Sequence, residues 1–198
     1  MGLNLEYIYG QTPLDEEELA DLKIPTISTR GELDEFEQQN IERAVNWIYS
    51  EQFTPETVVN EPFIRDLHFR MFGNVWKWAG KYRLSNKNIG VDKTQIITEI
   101  KKLLDDCLYW INNKSYSEDE IAIRFKVKLV KIHPFPNGNG RHSRLMADII
   151  IYKLLNRPMF SWGSENITAK GDTRNRYIQA LLKADKGEYQ DLLSFARS

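Results

Sequence analysis

The chain has 198 residues, 41% of them hydrophobic, which is enough for one ordinary domain with a real core. Its 27 basic and 28 acidic side chains leave a net charge of −1, which excludes the global positive field of a nucleic-acid binder. The single cysteine, Cys107, excludes an intramolecular disulfide.

The N-terminal MGLNLEYIYG lacks a basic stretch followed by an apolar one, so no signal peptide is expected. Gly2 would suit myristoylation, but Glu6 stands where Ser or Thr is wanted. No apolar run approaches the length of a membrane span, and a cytoplasmic protein is expected. Thr12-Pro13 followed by four acids over 15–18 predicts a short helix, with a capping hydroxyl and negative charge at its positive end.

From Gly31 to about Ser50, Leu33, Phe36, Asn40, Ala44 and Trp47 follow helical spacing. Thr54-Pro55-Glu56 opens a further helical segment that ends near Gly73 and is open to a break at Pro62. The texture then changes: residues 72–92 are rich in Gly, Asn and aromatics and have no helical period. Tyr82-Arg83-Leu84 and Asn88-Ile89-Gly90-Val91 flank the polar Ser85-Asn86-Lys87, which predicts a β-hairpin or flap. A long amphipathic helix follows on Ile97, Ile100, Leu104, Leu108 and Ile111. Cys107 lies among these apolar residues and reads as core.

The stretch IAIRFKVKLV alternates apolar and polar residues almost strictly, a strand signal when taken alone. Against it, Ser117-Glu118-Asp119-Glu120 is a capping box, and Ile121, Phe125, Leu129 and Ile132 fit one helix face; helix is favoured. Arg124, Lys126, Lys128 and Lys131 read as a solvated face. Helices are expected around Leu145–Leu154, Ile178–Leu182 and Leu192–Phe195, so the chain is all-α with one small hairpin.

The chemistry concentrates in residues 133–144, HPFPNGNGRHSR. Its prolines and glycines force a turn, and the glycines let backbone approach a ligand closely. A helix begins near Gly140, so unpaired N–H groups and a partial positive charge face the turn and make an anion site. Arg141 and Arg144 stand on one face of the first turn. Cations there are electrostatically misplaced unless an anion joins them, and guanidinium forks suit phosphate oxygens. His133, at the start of the turn, can accept a proton near pH 7. Phe135, between two prolines, is the expected apolar anchor. A lone histidine, a lone Gly-x-Gly or a pair of helical arginines is usually structural, but all of them within twelve residues are far more specific.

This stretch resembles the Fic motif, HxFx(D/E)GNGRxxR: His133, Phe135, Gly138, Asn139, Gly140, Arg141 and Arg144 match, and Asn137 stands where an acid is expected. Residues 76–83, WKWAGKYR, are similar to the family's WxWAGxxR segment, and Arg174, Tyr177, Ala180, Leu181 and Gly187 to its RxxYxxAL…G tail. The resemblance runs from roughly Gly31 to the C-terminus, which makes 1–30 an N-terminal extension and 31–198 the Fic domain. The whole is also similar to the mobile-element-associated subgroup called mobile mystery protein B.

The resemblance implies an all-helical Fic fold with a β-hairpin flap over the active-site loop. It implies a protein adenylyltransferase that moves AMP from ATP to a Ser, Thr or Tyr hydroxyl, with His133 as base. Gly138, Asn139 and Gly140 would cradle the phosphates, with Arg141 and Arg144 on the outer ones. Mg²⁺ or Mn²⁺ would accompany ATP, with Asn137 as a weak ligand. The flap, Leu84, Ser85, Asn86, Lys87, Asn88, Ile89, Gly90 and Val91, would clamp an extended hydroxyl-bearing target segment by strand addition. The setting implied is bacterial and toxin–antitoxin-like, with an antitoxin-like inhibitor protein as a further partner and neither nucleic acid nor membrane. The adenine pocket is left unassigned, with Tyr177 as a candidate.

Three alternatives stay open. Fic-fold relatives also transfer phosphate, UMP or phosphocholine, although the retained glycine pair favours nucleotidyl transfer. Asn137 keeps open a catalytically impaired partner-binding module. A nucleic-acid binder would use the stripe at Arg124 to Lys131. Two segments approach the family's inhibitory pattern (S/T)xxxE(G/N): residues 161–166, SWGSEN, and 28–33, STRGEL. The first has a loop-like context and the second has Leu33 at the last position, so neither is read as an inhibitory helix.

Overall fold

A computed structural model describes residues 12–163 and 171–198. The elements run α1 (Glu16–Leu19), α2 (Arg30–Ser50), α3 (Pro55–Val58), α4 (Glu61–Phe72), α5 (Ile96–Asn113), α6 (Glu118–Ile132), α7 (Asn139–Ile149), α8 (Asp172–Asp185) and α9 (Gln190–Arg197). A 3₁₀ turn, Lys93–Gln95, leads into α5, and a π-helical turn, Ile150–Leu154, extends α7. The described residues form no β-strand; one isolated antiparallel bridge joins Leu22 to Trp76.

α6 is the hub and packs on α5, α7, α8 and α9. Its buried residues, Ile121, Ala122, Ile123, Phe125, Lys126, Val127, Leu129 and Ile132, point in nearly all directions. That is why its sequence alternates like a strand: a helix with neighbours on most sides keeps no single polar face. Ser117 caps it by accepting from the Glu120 N–H. Lys126, read above as part of a solvated face, is fully buried instead. The other basic residues of that stripe are paired, Arg124 with Glu120, Lys128 with Asp106 and Lys131 with Asp185, so the stripe is no open nucleic-acid surface.

The caps explain the remaining boundaries. α1 is capped by Asp15 in a reciprocal box with Glu18, rather than by Thr12, whose hydroxyl is engaged elsewhere. Thr29 and Glu32 cap α2 the same way. Glu32 thus turns to the start of its own helix, in keeping with the reading that 28–33 is not inhibitory. The chain breaks at Val59-Asn60, where Asn60 caps α4, and Pro62 sits harmlessly in the first turn. Cys107 is buried, and burial pushes its thiol up to about 12, as suits a core residue. Of the 161–166 match, residues 164–166 lie outside the described residues.

The segment before α2 crosses the rest of the fold. Lys23 N–H donates to the Val75 carbonyl at 2.8 Å and Lys77 N–H to the Asp21 carbonyl at 3.0 Å. Among the described residues, no helix is long and apolar enough to cross a membrane.

Candidate active site

The site forms where α6 stops and α7 starts. His133 closes α6 in the left-handed conformation, φ 54°, a state that costs a non-glycine residue about 1–2 kcal/mol. Arg83 offsets this cost, its Nε donating to the His133 carbonyl at 2.7 Å. The Arg83 N–H donates to the Pro134 carbonyl at 2.9 Å, and its other guanidinium nitrogens hold the Ser85 and Val91 carbonyls. Arg83, a flank of the expected hairpin with no functional role legible in the sequence, is therefore the staple between flap and loop. It also accounts for the missing hairpin. The carbonyls that would pair across 84–91 point to one guanidinium, so the flap is a loop of turns rather than a ladder in the described residues. Gly90 passes so close that a Cβ there would lie 2.7 Å from that of His133. Leu84 and Ile89 are exposed at the flap's tip.

Phe135 is fully buried, as expected. It stacks on His68 with ring centroids 3.7 Å apart and meets His142 edge-on at 5.2 Å. His68 is a brace as well: Nδ1 accepts from the Gly80 N–H and Nε2 donates to the Asn137 carbonyl, each at 3.0 Å. Asn139, expected in the phosphate cradle, turns its side chain inward. Its Oδ1 accepts from the Phe135 N–H at 3.0 Å and its Nδ2 donates to the Phe135 carbonyl at 2.8 Å. What it offers a ligand is its main-chain N–H.

That amide has company. The first helical bond of α7 runs from the His142 N–H to the Gly138 carbonyl, so the amides of Asn139, Gly140 and Arg141 have no acceptor within the helix. Gly138 permits this geometry: its φ is 78°, and a Cβ there would fall 2.5 Å from the Phe72 ring. At Gly140 a Cβ would meet nothing within 4 Å, so the helix start is open on that side.

Arg141 and Arg144 share this turn but have different partners. Arg141 Nη1 pairs with Glu37 Oε2 at 2.6 Å, and Glu37 Oε1 accepts from Trp76 Nε1 at 2.6 Å. The anion expected beside Arg141 is thus supplied in part by the fold itself. Glu37 was not singled out from the sequence; the available signal was a carboxylate four residues after Leu33 on the buried stripe of α2. Arg144 lies over the Tyr177 ring at 5.5 Å, and the buried Lys126 ammonium faces the same ring at 4.7 Å. Burial alone would raise the Tyr177 phenol, yet Lys126 and Arg144 bring it down to about 8. With 6% of its surface exposed, Tyr177 supports the arginine from below and is not an open adenine platform.

His133 is 5% exposed. Burial holds it down at about 4, against the pull of the Val130 carbonyl, so it is neutral at pH 7. Its Nε2 lies 3.1 Å from the hydroxyl of Thr12, and Asn137 Nδ2 donates to the Thr12 carbonyl at 3.1 Å. Asn137 Oδ1, expected to face a metal, accepts from the Gly138 N–H at 2.6 Å. No group of three His, Cys, Asp or Glu able to hold a metal exists among the described residues. This donor set does not make a protein-held magnesium site, and a divalent ion would enter with the nucleotide's phosphates.

Residues 58–151 match the model of the Fic/DOC family. The chain is 31% identical over 142 residues to protein adenylyltransferase fic-1 of Caenorhabditis elegans, covering 68% of this chain and 25% of that protein. It is 26% identical over 136 residues to protein adenylyltransferase Fic of Aedes aegypti, covering 67% of this chain and 26% of that protein. It therefore spans about a quarter of the length of these curated relatives. Among solved structures, BepC of Bartonella tribocorum with bound AMPPNP superposes with a TM-score of 0.68 at 19% identity, covering 92% of this chain and 97% of that one. The E274G form of Fic-1 from C. elegans gives 0.61 at 21% identity, covering 80% and 46%. Residues 58–151 thus carry the Fic/DOC family's sequence pattern, and the chain as a whole shares the fold of solved Fic domains.

Proposed function

We propose that the chain is a protein adenylyltransferase, with ATP as co-substrate and a Ser, Thr or Tyr hydroxyl of another protein as acceptor. The observation that carries this reading is one turn of chain that joins a neutral buried imidazole to a helix start with free amides and two arginines. Relatives named protein adenylyltransferases, and Fic structures holding AMPPNP or ADP, support it.

In this reading the phosphates lie on the amides of Asn139, Gly140 and Arg141, with Arg141 and Arg144 on the outer ones. The acceptor hydroxyl passes its proton to His133 Nε2 while its oxygen attacks the α-phosphorus. The bond from that phosphorus to the bridging oxygen breaks, and pyrophosphate leaves. A metal on the phosphates would add charge neutralisation. The exposed Leu84 and Ile89 of the flap give an extended target segment an apolar contact. Residues 31–198 serve as the catalytic domain and 1–30 as an extension. A cytoplasmic setting suits the single buried thiol, and an antitoxin-like inhibitor protein remains the partner that the resemblance implies.

The test is transfer from α-labelled and γ-labelled ATP into lysate proteins. Only the α-label is expected on protein. Transfer of the γ-label would make the chain a phosphotransferase, and nucleotide binding without transfer would favour the partner-binding module that Asn137 keeps open.

A further inference from the structure

We propose that Thr12 is itself an acceptor: the chain transfers AMP in cis to the hydroxyl that rests on its own base. This rests on the adenylyltransferase reading above.

The segment that carries Thr12 lies between the flap and the motif loop. On the loop side, the Thr12 hydroxyl meets His133 Nε2 at 3.1 Å, and its carbonyl accepts from Asn137 at 3.1 Å. On the flap side, Asp15 Oδ2 accepts from Ser85 Oγ at 2.7 Å and pairs with Lys87 Nζ at 2.8 Å, while Glu18 also holds Lys87. The Lys87 side chain is only 4% exposed as a result. Trp78 Nε1 adds a bond to the Glu18 carbonyl at 3.2 Å. Residues 12–18 therefore occupy the interval in which an extended target would have to lie, with a hydroxyl at the base.

Thr12 is the hydroxyl hydrogen-bonded to His133 among the described residues. It is 7% exposed, so its geometry is set by burial as well as by that bond. In the imidazole tautomer with the proton on Nδ1, Nε2 accepts from the Thr12 O–H, the arrangement that proton removal requires. The Thr12 oxygen then forms its bond to the α-phosphorus. The bond from that phosphorus to the bridging oxygen breaks, pyrophosphate departs with the electron pair, and the proton stays on His133. Holding the nucleophile on its base makes the step unimolecular in the acceptor. While Thr12 stays seated, a hydroxyl from another protein cannot reach Nε2.

The experiment incubates the full chain with α-labelled ATP and Mn²⁺, then maps modified peptides by mass spectrometry, with a lysate arm in parallel. An adenylyl group on Thr12 is expected, at a rate per molecule that dilution does not change. Thr12→Ser should keep the label and Thr12→Val should lose it. A His133→Ala chain mixed with wild type should stay unlabelled. Label on lysate proteins with Thr12 unmodified would overturn the proposal and leave the adenylyltransferase reading standing. No label on any protein would overturn both, and labelling of the His133→Ala chain by wild type would overturn transfer in cis.

Discussion

The Glu37 carboxylate is clamped between Arg141 and Trp76, with 2.6 Å contacts on both sides, although Glu37 and Arg141 lie 104 residues apart in sequence. The pair places a negative charge where nucleotide phosphates are proposed to bind. Glu37→Gln keeps an acceptor for the Trp76 N–H and removes the charge. It is expected to tighten ATP binding severalfold in calorimetry; unchanged affinity would mean that Arg141 does not reach the phosphates. Glu37→Ala strands both partners and should lower stability to urea by about 3 kcal/mol.

His133→Ala should reduce transfer by about two to four orders of magnitude, the usual range for a general base. Nucleotide affinity should stay close to that of the wild type, because the amides proposed to hold the phosphates lie one turn beyond His133. The fold should survive too, since Arg83 holds the main-chain carbonyl of residue 133 and not the imidazole. A variant that retains most of its transfer rate would remove His133 from the role of base.

Asn137→Asp has two expected consequences. A carboxylate restores the charge that favours a divalent ion, so the Mg²⁺ concentration giving half-maximal transfer should fall. Aspartate also cannot donate to the Thr12 carbonyl, so the segment over the site should loosen and be cut faster near Thr12 by a protease. Superimposable metal titrations of the two forms would show that position 137 does not address the metal.

The pH dependence of stability follows from the histidines. The chain's three, His68, His133 and His142, are all buried, and burial depresses each below the usual 6.5, to about 4 for His133 and about 3 for His142. The unfolded chain takes up protons below pH 6.5 while the native one does not. Stability is therefore fully present above that pH and is lost as pH falls toward 4 and 3. Each histidine contributes at most about 1.4 kcal/mol per pH unit. Urea midpoints measured from pH 7.5 to 4.5 should fall steadily, whereas a flat profile would contradict neutral burial.

What the sequence determined by itself is what local physics controls. The helix limits follow from caps and prolines a few residues away, as at Thr29, Asn60 and Ser117. The turn at 133–144 was legible for the same reason, since its glycines, arginines and histidine act within one loop and one helical turn. The tertiary structure decided which partners those groups have. Lys126 reads as solvated, and only the ring of neighbours around α6 buries it. Asn139 reads as a cradle residue, yet the compact loop turns its amide onto Phe135. The hydrogen bonds that shape the site span 50 residues for Arg83 and His133 and 121 for Thr12 and His133. No periodicity or cap encodes such separations. They arise when burial of the helices brings distant segments together, because a polar group buried by that packing must find a partner among whatever lies beside it.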